Sequence, residues 1–181
     1  MSLLDVFNQT KKDFDPKNDS INSNYDKLPA GEYNVTMDNV SHFVSKVSNF
    51  EQLSFKMIVI DGEHASQSEF VGVNLDDKKK DGSPMPEFVV SKNLKTLMKI
   101  ASLVGLEITD EMIMGNVTDV YEKLVEAFKP YRGKLMVMKI TESPNKKDPD
   151  NPYRNYEFKP YQNQENNSND EIKVEDDDLP F

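Results

Sequence analysis

From Leu28 to Tyr161, apolar and polar side chains follow two rhythms, and the change between them divides the chain. In "LPAGEYNVTMDNV", Tyr33, Val35 and Met37 alternate with Asn34, Thr36 and Asp38, which predicts a half-buried strand. "FEQLSFKMIVIDG" repeats the alternation through Leu53, Phe55, Met57 and Val59 and closes on Asp61-Gly62. "SEFVGVNL" sets Val71, Val73 and Leu75 on one face and Phe70, Gly72 and Asn74 on the other. The segment "DDKKKDGSPMPEF" then reads as a loop. Its Lys78, Lys79 and Lys80 are offset by Asp76, Asp77 and Asp81, so a solvated turn is the expectation. The spacing next becomes helical. Leu94, Leu97, Met98, Ala101 and Val104 share one face, with Ser91 as the expected N-cap and Gly105 as the stop. A second amphipathic helix places Val117, Val120, Tyr121, Leu124 and Phe128 together. Alternation returns in "KLMVMKITE", through Met136, Met138 and Ile140, and in "YRNYEFKPY".

Strands that are apolar on one side only suit an antiparallel sheet. Three strands, a helical insert and a closing hairpin give the element order of a five-stranded antiparallel Greek-key OB-fold barrel, with the insert between strands 3 and 4. The class is mainly β. A small α+β sandwich, with helices covering an open sheet, has the same order and stays open as the alternative. The domain is bounded at 28–160. Residues 1–27 are expected to form a flexible lead, in which "SLLDVF" makes at most a short helical turn before Pro16. Residues 161–181 are too polar to pack and are expected to form a disordered acidic tail.

Composition removes several functions. The chain has no Cys, which excludes disulfides, thiolate zinc sites and thiol nucleophiles. His42 and His64 are its only histidines, and neither sits at ligand spacing with acids. There is no Gly-rich phosphate loop and no nucleophile elbow. The expectation is a protein without catalysis, cofactor or metal. No apolar run approaches the length that spans a bilayer, so no membrane role is expected and a soluble, cytoplasmic protein is.

The formal net charge of -10 argues at first against a nucleic-acid partner. Its distribution reverses that argument. Residues 165–181 hold seven acids against Lys173 alone, whereas residues 129–159 hold eight basic residues against four acids. That basic stretch interleaves cations with rings. Tyr131, Arg132, Lys134, Lys139, Lys146, Lys147, Tyr153, Arg154 and Tyr156 are candidate nucleic-acid contacts, joined by Phe70 on the polar face of its strand. Single-stranded nucleic acid needs both kinds of group: cations follow the phosphates, and exposed rings stack on unpaired bases at roughly 1–3 kcal/mol each. Tyr and Phe are also ordinary strand residues, and Lys on an outer face keeps a strand soluble, so each candidate has a purely structural reading beside this one.

The last residues, "DDDLPF", add a second kind of signal. An acidic stretch closing on Asp-Asp-Asp-Leu-Pro-Phe resembles the tails of bacterial and bacteriophage single-stranded DNA-binding proteins, which end in Asp-Asp-Asp-Ile-Pro-Phe or a near variant. Leu179 stands where Ile is usual. "LPAGEY" and "KPYRGKLMVMKI" resemble the phage branch of that family more loosely. The resemblance implies binding of single-stranded DNA without strong sequence preference, during phage replication or recombination in the host bacterial cytoplasm. It implies that Asp176, Asp177, Asp178, Leu179, Pro180 and Phe181 recruit replication, recombination and repair proteins. It leaves the number of subunits open, a homo-oligomer included. A ring followed by a carboxylate is a compact anchor for an apolar pocket with a basic rim, and Pro180 limits the freedom lost on docking. The rival reading is an acidic adaptor or DNA mimic that binds a host protein and has no affinity for DNA. An annealing or nuclease-type enzyme is a third reading.

Overall fold

The structure, a computed structural model, describes residues 2–13, 15–17 and 27–162. Five strands form one antiparallel sheet: β1 (Gly31–Val44), β2 (Glu51–Val59), β3 (Ser68–Val73), β4 (Leu135–Ser143) and β5 (Tyr153–Pro160). The strand order is β3-β2-β1-β4-β5. Three hairpin-linked strands followed by a fourth returning beside the first is Greek-key order. The insert between β3 and β4 holds α2 (Glu87–Val104), the single turn α3 (Asp110–Ile113) and α4 (Val117–Phe128). A 3-10 turn, Lys129–Tyr131, leads back into β4.

One face of the sheet is covered by α2 and α4, and the core lies between these layers. Val35, Met37, Val40, Leu53, Phe55, Met57, Val71, Met136, Met138 and Phe158 from the strands meet Leu97, Ile100, Leu124 and Phe128 from the helices. Phe55 and Phe128 pack edge to face with centroids 5.1 Å apart. The Tyr121 hydroxyl accepts from the Leu75 amide at 2.8 Å, which ties α4 to the end of β3.

β1 runs further than its alternation predicts because it contains a bulge. Met37 pairs with Met57 and Asn39 with Lys56, so Asp38 has no partner of its own. The extra residue shifts the pleat by one, and the inward positions change from Val35 and Met37 to Val40.

Two expectations about helices are corrected. Ser91 is not an N-cap: α2 starts four residues earlier, after Pro86, and Ser91 is half-buried inside it. The early turn escapes the periodic pattern because Phe88 is exposed while Val89 and Val90 are only half-buried. Gly105 does stop α2, in a left-handed conformation at φ 87° that lets Leu106 N–H reach the Ala101 carbonyl at 2.9 Å. Within the lead, Leu3–Asp13 forms an 11-residue helix, α1, longer than a turn. Ser2 and Asp5 cap it reciprocally, Asp5 N–H donating to Ser2 Oγ at 3.2 Å and Ser2 N–H to Asp5 Oδ2 at 2.9 Å.

The outer strands β3 and β5 share no main-chain ladder. Their side chains meet instead. Arg154 Nη2 on β5 lies 3.0 Å from Glu69 Oε1 on β3, and the Tyr156 hydroxyl donates to the same oxygen. Arg154 also pairs with Glu142 at 2.7 Å and donates to the Leu28 carbonyl at 2.8 Å. Among the described residues no helix is long and apolar enough to cross a membrane.

Candidate nucleic-acid interface

The sheet face turned away from the helices is built from the outward positions of each strand. Phe70 lies there, 58% exposed, because Glu69 and Val71 on either side of it point inward. In register it faces Lys56 on β2, which faces Asn39 on β1. Asn39 accepts a hydrogen bond from Arg132 Nη2, an exposed side chain in the turn before β4. That turn is fixed by main-chain bonds, Gly133 N–H to Met37 O at 2.8 Å and Met37 N–H to Lys134 O at 3.0 Å. A ring, an ammonium, a carboxamide and a guanidinium therefore form one row across three strands, its two outer strands roughly 10 Å apart. Lys56 pairs with Asp38, the bulge residue, at 3.0 Å. Both side chains are about a third exposed or more, so the pair is weak. Along β3 the next outward position is Gly72. A Cβ there would stand 2.4 Å from the Gln52 carboxamide, which lies over the glycine beside Phe70.

The last hairpin is arranged differently. Arg154, expected to contact nucleic acid, keeps a side-chain exposure of 13% and is held by two carboxylates. Burial works against its charge, but Tyr156 and Glu69 outweigh burial and raise its pKa. Tyr156 is half-buried; burial first, then its bond to Glu69, pushes its hydroxyl up to about 12. Both side chains face inward, where they join the edges of the sheet. Lys139 points outward, yet its register partners are Glu32 on β1 and Glu157 on β5. Lys159 pairs with Glu32 at 3.1 Å. Tyr131 is half-buried against the core, and Lys134 is exposed in the turn beside Arg132. Lys146 and Lys147 are exposed in the β4–β5 loop. Tyr153 is 56% exposed and immediately precedes Arg154, as Phe70 immediately follows Glu69. The Glu69–Arg154 pair is thus a positioning element, flanked by the two most exposed rings of β3 and β5.

The structure sets Phe70 and Arg132, among the expected residues, in one row and adds Lys56, Asn39 and Gln52. The polar alternation of β2 already put Gln52 and Lys56 outward. Their meeting with Arg132 depends on the bulge, which the alternation does not show. Asp176 to Phe181 lie outside the described residues.

A separate cluster sits at the far end of β1. His42 Nδ1 lies 2.7 Å from Glu122 on α4, and Nε2 lies 2.8 Å from Glu51 on β2. Burial lowers the pKa of the ring, but the hydrogen bonds to Glu122 and Glu51 prevail and raise it above 6.5. Among the described residues no group of three or more His, Asp or Glu side chains is placed to hold a metal ion. Comparison with known proteins finds no family model that matches the chain and no curated protein that matches it.

Proposed function

We propose that this chain binds single-stranded DNA, without strong sequence preference, on the outer face of β1, β2 and β3. The observation that carries the reading is the exposed Phe70 ring in one row with Lys56 and Arg132. Stacked bases in a duplex offer no face to such a ring, whereas unpaired bases do. Tyr153 and the Lys146–Lys147 loop extend the surface beyond the seam. The sheet is read as an OB-type barrel in which the Glu69–Arg154–Tyr156 cluster closes the gap between β3 and β5. The protein coats and protects exposed strands during replication or recombination and performs no chemistry. The acidic segment Asp176–Phe181 recruits partner proteins.

A gel shift with single- and double-stranded oligonucleotides of equal length tests this. Retention of the single strand alone is expected. With about four phosphate contacts, log affinity falls against log salt with a slope of about -3. Equal retention of both forms, or of neither, overturns the reading. The neutralised hairpin and the net charge of -10 favour the acidic adaptor as second reading, and failure to shift any oligonucleotide is its expected result.

A further inference from the structure

Where β1 turns into β2, the β1–β2 loop and the β3–α2 loop stand apart around a cleft of about 680 Å³. Lys78, Lys79 and Lys80 line it together with Phe50 and Asn49. The loop bearing the lysines is a tight turn, not a loose one. Lys79 N–H donates to Ser83 O at 2.8 Å, and Met85 N–H to Asp77 O at 2.7 Å. No hydrogen bond or ion pair ties any of the three lysine side chains to another described residue. Of the three acids that balance them in sequence, two lie outside the cleft lining. Asp81 is turned to Ser83, whose hydroxyl and amide lower its pKa, and only Asp76 lines the cleft. The turn is solvent-exposed, as "DDKKKDG" leads one to expect, and its three lysines also line one wall of the cleft.

The cleft also continues the outer face. Phe70 and Gly72 occupy successive outward positions on β3, and Asn74, the residue just past its end, lines the cleft. Its carboxamide donates to Glu51 O at 2.7 Å, at the start of β2.

We propose that this cleft is a nucleotide subsite, which takes one unit of a single strand with its phosphates on Lys78, Lys79 and Lys80 and its base against the Phe50 ring. The proposal rests on the single-strand reading given above. An acidic peptide would satisfy the lysines and leave the half-buried ring unused. A duplex would present phosphates but no base face. A single strand supplies both from neighbouring atoms, and Asn49 offers donors and acceptors to a base edge.

The chain has no Trp, so Phe50→Trp and Phe70→Trp, each in the full chain, carry one reporter apiece. Oligo-dT is expected to quench both. In a separate protein carrying Lys78→Ala, Lys79→Ala and Lys80→Ala, all at exposed positions, the salt slope is expected to become shallower by about 2. Quenching at Phe70→Trp with none at Phe50→Trp overturns the subsite and leaves the single-strand reading standing. So does an unchanged slope in the triple variant. Absence of quenching at both positions, with no oligonucleotide retained by the parent protein, removes both. Quenching of Phe50→Trp by poly-glutamate but not by oligo-dT overturns the subsite in favour of an acidic partner.

Discussion

The last hairpin and the outer face of β1–β3 carry the same residue types, aromatic rings and cations, but the sheet treats them differently. On the hairpin, Arg154 meets Glu69 and Glu142, Lys159 meets Glu32, and Lys139 stands in register between Glu32 and Glu157. On β1–β3, Phe70 is exposed, Lys56 has one solvent-exposed partner, and Arg132 rests on a neutral carboxamide. A count along the chain makes 129–159 the basic region. Cross-strand register, which decides who sits opposite whom, neutralises much of it. Charge available to a ligand is a property of the folded face and not of the segment.

The largest effect that separates these regions is on stability. Arg154→Ala leaves Glu69 buried without its partner, and a broken buried pair costs about 3–5 kcal/mol. Thermal unfolding is expected to show a Tm lower by on the order of 10 °C or more. A Tm within a degree or two of the parent would mean that Arg154 is available to ligand after all.

Next comes Phe70→Ala, which removes one stacking ring from an exposed position. Oligo-dT affinity is expected to fall about 5- to 150-fold, equivalent to 1–3 kcal/mol, with little change in Tm. Arg132→Ala is expected to remove one phosphate contact and reduce the salt slope by about 0.7.

A smaller, pH-dependent effect belongs to His42. Protonated, it donates to both Glu51 and Glu122 and pins α4 to the strands. Its folded pKa is raised, so this stability is fully present below about pH 6.5 and is lost as pH rises through the folded value. Tm is expected to decline as pH rises from about 6.5 through the raised folded value, and His42→Asn is expected to flatten that decline. The smallest effect is that of Lys139→Gln, expected to change oligo-dT affinity less than twofold because Glu32 and Glu157 already balance the charge.

Much of the architecture was legible. All five strands, the inward faces of β2, β3, β4 and the first half of β1, and the helix ends at Gly105 and Phe128 follow from alternation, helical spacing and a glycine stop, whereas Met98, placed by spacing on the core face of α2, is exposed. What escaped has local causes. The bulge at Asp38 leaves two residues between the inward Met37 and Val40, which breaks period two. The start of α2 hides behind exposed Phe88, and α1 depends on a Ser2–Asp5 box that a polar lead disguises. Of the site, Phe70 was visible as an outward ring, and Arg132 and Lys134 as cations. Lys56 was visible only as a polar alternate. The neutralisation of the hairpin requires knowing that β5 curls back to Glu69 on β3, and no run of residues in sequence states that.

The most direct measurement is a backbone amide shift map of the full chain titrated with oligo-dT. The account predicts the largest changes at Asn39, Lys56, Phe70 and Arg132, with Lys139 and Glu157 nearly still. Changes concentrated at Lys139 and Glu157, or none anywhere on the sheet, would contradict it.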